Sequence, residues 1–301
     1  MKFFQPLETF FRNIRDSFRY SLKGIYNKTK ILDKPRLDDD LLLESILYAI
    51  PNSGIKRPKI LTADETINEI LTTSKNIVRY GDGEFMVMDG QDIGFQKADK
   101  KLTTRLREIF ANNNKNLIVA TAGSYFYPNF TKIISETNPI YKHFALYSVP
   151  QVRKMANKYL NYDSTYYEMD INGGGGNHFQ IWREFFKGKK LVLVGCKEAF
   201  DSYKFNIFDT AKELRYEFVP NKHCFDKYDE ILSRLRGHSK DFIQILMCGP
   251  TANILVADLT QDGFRALDLG HLAKSYDWYK RGIDMGGNDG KNAVKFFLPD
   301  E

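Results

Sequence analysis

The chain has 301 residues, of which 43% are hydrophobic and 27% charged, the make-up of a folded globular protein. This excludes wholesale disorder, collagen-like repeats and a polytopic membrane protein. Its net charge of +6 is concentrated: residues 1–36 hold nine Lys/Arg against three Asp/Glu, and everything after them is neutral. A nucleic-acid-binding face would spread its basic residues over the body, so no nucleic acid is expected as a partner.

Three cysteines in a chain this long argue against a disulfide framework. Cys196 and Cys248 each end an apolar run and read as small buried thiols. Gln5, Pro6 and Glu8 interrupt any signal-peptide core, and no run reaches the roughly 18–20 apolar residues of a spanning helix. The expected compartment is a reducing cytoplasm.

In chain order, Phe3, Leu7, Phe10, Phe11, Ile14, Phe18, Leu22 and Ile25 recur at helical steps, with Arg12, Arg15, Arg19 and Lys23 mostly beside them. This predicts a basic amphipathic helix. Its apolar stripe suits either an anionic membrane surface, peripheral at the inner face, or a protein partner. Asp33–Asp40 reads as a linker and Leu41–Ile50 as a short apolar helix. Ala63–Thr72 reads as a helix with acidic residues in its first turn. Strands are expected at Asn76–Tyr80, Leu117–Thr121, Lys190–Gly195, Tyr216–Val219, Phe242–Cys248 and Arg265–Leu269. Helices are expected at Asp99–Ala111, Phe179–Phe186, Ile207–Leu214, Tyr228–Leu235 and Ala252–Asp262. Several strands are apolar on both faces. The alternation predicts an α/β fold: a Rossmann-like open, mostly parallel sheet with helices on both faces, plus an N-terminal helical extension. The domains read as residues 1–58 (basic extension and linker), 59–284 (the α/β domain) and 285–301 (flexible tail).

Ligands of open parallel sheets bind beyond the carboxyl ends of the strands, so the residues after each strand carry the functional reading. After Asn76–Tyr80 come Gly81, Asp82, Gly83 and Glu84. Two carboxylates one residue apart on a glycine-flanked turn can share a hard cation such as Mn²⁺ or Mg²⁺; a solvated acidic turn is the alternative. Arg79 could pair with phosphate or with these carboxylates. Gly249, Pro250 and Thr251 open a helix after a strand, where backbone N–H groups favour an anion and Thr251 can cap the helix or reach a phosphate. Asp268 precedes His271 at another strand end. The glycine run Gly173–Gly176 reads as a mobile loop or a linker. His143, His178, His223 and His238 show no spacing that implies a partner. No Walker motif, dinucleotide fingerprint or nucleophile elbow occurs.

Three ordered blocks resemble one family. They are Arg79-Tyr80-Gly81-Asp82-Gly83-Glu84-Phe85 with Ile93-Gly94-Phe95-Gln96 and Leu102–Ile109, then Phe205–Ala211, then Gly249–Ala252 running on to Ala266–His271. Over roughly residues 60–282 the chain is similar to the GT-D-type glycosyltransferases, bacterial enzymes with a DxE motif on a Rossmann-like sheet. The resemblance implies a metal-dependent hexosyltransferase that moves a sugar from a nucleotide-diphosphate donor, a UDP-sugar, to a cell-surface glycan acceptor, lipid-linked or protein-linked. Asp82 and Glu84 would hold Mn²⁺ or Mg²⁺. Arg79, Gly81, Gly249, Pro250 and Thr251 would contact the diphosphate, and Asn206 would lie near the nucleotide. Asp268 and His271 would lie near the sugar or acceptor, one acting as general base. Inversion at the anomeric carbon is the expected outcome, and a homodimer stays open as an assembly. Tyr203-Lys204-Phe205 stands where the family carries glycines. That departure favours an alternative, a non-catalytic nucleotide- or glycan-binding partner of another transferase.

Overall fold

The computed structural model describes residues 53–283, apart from 112–113, 136–143 and 173–175, with isolated positions between 44 and 50. The expected N-terminal amphipathic helix, the 33–40 linker and the 285–301 tail lie outside the described residues. So does most of the Leu41–Ile50 helix, of which Glu44, Ile46, Leu47 and Tyr48 are helical.

The first half runs β1 (Lys59–Leu61), α1 (Ala63–Thr72), β2 (Asn76–Tyr80), α2 (Asp82–Met88), α3 (Lys100–Ala111), β3 (Leu117–Thr121), α4 (Phe130–Ser135), α5 (Val149–Asn157) and β4 (Thr165–Glu168). The second runs α6 (Gly176–Phe186), β5 (Lys190–Gly195), α7 (Lys197–Ser202), β6 (Glu213–Phe218), α8 (Tyr228–Arg236), β7 (Phe242–Met247), α9 (Pro250–Gln261), β8 (Arg265–Asp268) and α10 (Leu272–Lys280). The eight strands form one sheet in the order β1-β4-β3-β2-β8-β7-β5-β6. Each pairing is parallel, so the carboxyl ends share one edge.

Side chains alternate faces along each strand. Val78, Tyr80, Val192, Val194 and Leu246 join one core with α2, α3, α8 and α9. Ile77, Leu191, Leu193, Ile245 and Leu267 join the other with α1, α6 and α10. The strands are apolar throughout because both faces are covered. At the amino end, buried Asn76 fastens β2 to the α9–β8 turn. Its Nδ2 donates to Thr260 Oγ1 (2.7 Å) and Phe264 O (2.8 Å), and its Oδ1 accepts from Ala266 N–H (2.9 Å). Among the described residues no helix is long and apolar enough to cross a membrane.

Three local expectations are corrected. Asp82–Glu84 is not a turn but the first turn of α2, with Gly81 as its N-cap. The expected helix Ile207–Leu214 is a series of turns that runs into β6, which begins at Glu213 rather than Tyr216. Its apolar residues are buried in a turn instead: Asn206 Oδ1 accepts from Phe208 N–H (2.9 Å) and Asp277 Oδ1 from the N–H groups of Lys204 and Phe205 (2.8 and 3.0 Å). Strands β1 and β4 were not anticipated; at three and four residues they are too short to show a period. Two histidines without sequence partners find carboxylates in space: His178 lies 3.3 Å from Asp64 and His238 2.9 Å from Glu217.

Candidate active site

Strands β2 and β8 are neighbours, so Arg79 near the end of one meets Asp268 at the end of the other. Arg79 Nε lies 3.6 Å from Asp268 Oδ1. Its Nη1 donates to Met169 O just beyond β4 (3.3 Å), and its own carbonyl accepts from Asn253 Nδ2 of α9 (2.9 Å). The guanidinium rests on Gly270, whose φ is +50°. A Cβ there would fall 1.4 Å from Arg79 Nη2. Gly270 is therefore a glycine for two reasons, the left-handed backbone and the room the arginine needs. Its N–H also donates to Asp268 Oδ1 (3.0 Å).

Glu84 sits at the third position of α2 and turns back, so that its Oε2 accepts from Gly81 N–H (2.9 Å). Burial, with the charges of Asp268 and Asp82, lifts its pKa to about 7 against that hydrogen bond. Asp268 is raised too, by burial, with Arg79 pulling the other way. Asp82 is exposed and accepts from its neighbour Gly83 N–H (2.9 Å). Residues two apart on a helix do not face each other, yet Asp82 and Glu84 both act on the Tyr125 phenol, so the two carboxylates lie near one point.

His271 is the N-cap of α10. It is an exposed residue, with the charges of Arg79 and Lys274 acting on its ring. Burial first, then those charges, lower its pKa to about 4, so the imidazole is neutral at pH 7.

The Gly249–Thr251 turn opens α9 as expected, with Gly249 at φ +60° and Pro250 in the first turn. Thr251 corrects the reading made for it. It is wholly buried, makes no capping bond, and its hydroxyl has no hydrogen-bond partner among the described residues. Phe95 covers Gly249, since a Cβ on that glycine would stand 2.7 Å from the ring. Ile93 approaches Gly83 in the same way, at 3.3 Å from where a Cβ would be. One turn, Ile93–Gln96, thus packs on both glycine motifs. Asn206 is not brought into this group. It is exposed, and its carbonyl accepts from Arg183 of α6 (3.4 Å).

The sequence reading missed Tyr125, Glu168 and Asn253. Tyr125 follows β3 in a short 3-10 turn, and its phenol is raised by burial and by the charges of Asp82 and Glu84. Glu168 ends β4; its carboxyl accepts from the N–H groups of Gly123 (2.8 Å) and Asp170 (3.0 Å). Only the pairing of β4 beside β3 brings Glu168 here. Asn253 lies within an apolar helix, and that lone amide among nine buried α9 residues was the available signal.

Among the described residues no three His, Cys, Asp or Glu side chains converge as a ready-made metal cage. Asp82 and Glu84 supply hard oxygen donors, and the neighbouring negative charges that raise Glu84 are ones a cation would offset. A divalent ion of the Mg²⁺ type commonly takes one or two carboxylates and completes its shell with water and phosphate. The donor set fits such an ion.

Residues 77–291 match the family model described as "Glycosyltransferase GT-D fold". The chain is 26% identical over 250 residues to the Streptococcus gordonii protein named "Probable glycosyl transferase Gly", covering 79% of this chain and 36% of the relative. It is 24% identical to "Glycosyltransferase GlyD" of Streptococcus pneumoniae, covering 97% of this chain and 34% of the relative. The chain therefore spans about a third of the length of these curated relatives. A solved structure described as "The highly conserved domain of unknown function 1792 has a distinct glycosyltransferase fold" superposes with a TM-score of 0.68 at 27% identity, over 75% of this chain and 83% of that one. "A New Glycosyltransferase (DUF1792) from Streptococcus sanguinis" shares the fold, with a TM-score of 0.66 at 23% identity over 75% of this chain and 86% of that one.

Proposed function

We propose that this chain, which belongs to the glycosyltransferase GT-D fold family, uses a nucleotide-diphosphate sugar, a UDP-sugar, as donor, needs Mn²⁺ or Mg²⁺, and inverts the anomeric carbon. The observation that carries the reading is the meeting of Arg79, Glu84 and Asp268 across the adjoining ends of β2 and β8. Here a partly buried cation and two carboxylates raised by burial share one crevice. Asp82 and Glu84 are the residues that would hold the metal. When bound, the ion supplies Lewis-acid stabilisation of the charge on the departing diphosphate.

The chain's own residues do the rest. Arg79, fixed by Asp268, Met169 and the Gly270 cradle, offers its guanidinium to the diphosphate. Asp268 orients that guanidinium. The acceptor hydroxyl attacks the anomeric carbon as the bond to the diphosphate oxygen breaks and its electron pair leaves with phosphate. The hydroxyl proton passes to the neutral imidazole of His271. A base with a pKa of about 4 is weak, but the negative charge of a bound diphosphate raises it toward the working range.

The acceptor is a growing cell-surface glycan. The basic charge of residues 1–36 supports a lipid-linked one, with the chain resting on the inner face of the membrane. Deleting residues 1–36 then abolishes sedimentation with anionic liposomes and leaves nucleotide binding intact; continued sedimentation sinks that part.

Thermal-shift titration with UDP, GDP, CDP and dTDP, each with and without Mn²⁺, tests the donor site. A ligand at about 100 times its Kd stabilises the native state by roughly 2.7 kcal/mol. The expected result is a Mn²⁺-dependent shift with UDP that disappears in Asp82→Ala/Glu84→Ala. If no nucleotide shifts the wild type, the chain is instead a non-catalytic binding partner, the reading favoured by Tyr203 and Phe205.

A further inference from the structure

Among the described residues, strand β6 (Glu213–Phe218) is the last strand on its side of the sheet, paired to β5 alone. Val219 N–H donates to Gly195 O (3.1 Å), so the odd-numbered positions turn their backbone groups toward β5. Alternation then turns the N–H and C=O groups of Leu214, Tyr216 and Phe218 outward. The Phe218 carbonyl bears this out, accepting from Arg234 Nη2 of α8 (2.9 Å) rather than from β5. Such an edge is a template for another strand, which proteins ordinarily cover, shorten or break.

This edge is also apolar on one face. Tyr216 and Phe218 are each 42% exposed and stack on one another with centroids 5.8 Å apart. The other face reads Glu213, Arg215, Glu217, alternating in sign.

We infer that a second copy of the chain docks on this edge, β6 against β6 and antiparallel, about a two-fold axis through Tyr216.

The register follows from charge and from the direction of the backbone groups. With Tyr216 opposite itself, Arg215 faces the second copy's Glu217, and Glu217 faces its Arg215. Leu214 meets Phe218, and the two Tyr216 rings adjoin. The outward N–H and C=O groups of Leu214, Tyr216 and Phe218 all find partners, once Arg234 releases the Phe218 carbonyl while keeping its ion pairs with Glu217 (3.2 Å) and Glu230 (3.3 Å). Centring on Arg215 or Glu217 instead sets like charges opposite one another and aligns backbone groups that β5 already uses. Centring on Leu214 or Phe218 leaves part of the strand unpaired. Only the Tyr216 register satisfies charge, aromatic packing and hydrogen bonding together. It continues the sheet through both copies and turns their carboxyl-end crevices in opposite directions. The inference is independent of the transfer reaction.

Sedimentation equilibrium of the chain over a range of concentrations tests it. A monomer–dimer equilibrium is expected. Arg215→Glu and Glu217→Arg should each weaken it by about tenfold or more. Mixing the two variants should restore it, because every facing pair then has opposite signs. Circular dichroism shows that each variant is folded. Under mild oxidation Tyr216→Cys should cross-link two chains, since opposed residues of a hydrogen-bonded pair lie about 5.5 Å apart at Cα, within disulfide reach. Arg215→Cys should not cross-link. A chain that stays monomeric at every concentration assigns the edge to a different partner and overturns the inference. So does a dimer indifferent to both charge reversals, or one in which Tyr216→Cys fails to cross-link.

Discussion

At the amino ends of β2 and β8, the buried polar groups are consumed by partners. Asn76 satisfies three backbone or hydroxyl groups of the α9–β8 turn. Arg265 donates to the carbonyls of Ile70 and Lys75. At the carboxyl ends of the same two strands the opposite holds. Glu84 and Asp268 are like charges in one partly buried space, each raised by burial, and Arg79 engages Asp268 only at 3.6 Å. One pair of strands thus carries a closed end and an unsettled end. Hydrogen bonds that are complete contribute stability, while charge held without full compensation is available to a ligand.

The sharpest way to break the contrast is Gly270→Ala. The new methyl occupies the place of the Arg79 guanidinium, in a backbone conformation that suits glycine. The nucleotide- and Mn²⁺-dependent thermal shift should vanish altogether while far-UV circular dichroism stays native. A shift of wild-type size would show that Arg79 is not part of the donor site.

At the closed end, Asn76→Ala should lower stability by about 3 kcal/mol in urea unfolding, because it strands buried donors and acceptors. The remaining folded protein should bind nucleotide as the wild type does. A loss below about 1 kcal/mol would mean that water replaces the amide.

Glu84→Gln probes the unsettled end by pH. Folding raises the Glu84 pKa to about 7 from its ordinary 4.5. The native state therefore holds the proton more tightly than the unfolded chain. Stability from this group is complete below about pH 4.5 and is lost as pH rises through 7, a change on the order of 3 kcal/mol. With Glu84→Gln that fall should be absent from stability-against-pH curves. His271 has the opposite slope: its pKa is lowered to about 4, so its share is lost as pH falls from 6.5 toward 4. The two windows overlap between about pH 4.5 and 6.5 with opposite slopes, so the Glu84 share is read from the difference between the wild-type and Glu84→Gln curves. Smallest of all, Lys190→Ala removes an exposed amino-end pair with Asp241 (2.7 Å) and should leave the urea-unfolding midpoint almost unchanged, because solvent screens such a pair.

Much of this was legible in the chain itself. The runs at Asn76–Tyr80, Leu117–Thr121 and Lys190–Gly195 are apolar on both faces, and no other arrangement buries both faces of so many short strands as well as a covered parallel sheet. With the sheet came the rule that ligands bind at its carboxyl ends, and hence Arg79, Asp82, Glu84, Asp268 and His271 as the candidates, which do stand at the ends of β2 and β8. What stayed hidden depended on neighbours distant in sequence. Ile207–Leu214 has helical spacing, yet Asp277, far along the chain, holds Lys204 and Phe205 in a turn just before it, and pairing with β5 draws its last residues, Glu213 and Leu214, into β6. Asn206 follows that turn away from the crevice.

The sequence by itself determined the layers, the shared edge of the strands and which ionisable residues stand there, because these follow from hydrophobic period and strand-end chemistry. Tertiary structure alone decided the strand order that sets β2 beside β8. It also decided the burial that raises Glu84 and lowers His271, the approach of Ile93 and Phe95 to two glycines, and the place of β6 at the edge of the sheet among the described residues. These depend on which surfaces meet, and a carboxylate takes its pKa from the dielectric and charges around it, not from the residues beside it in the chain.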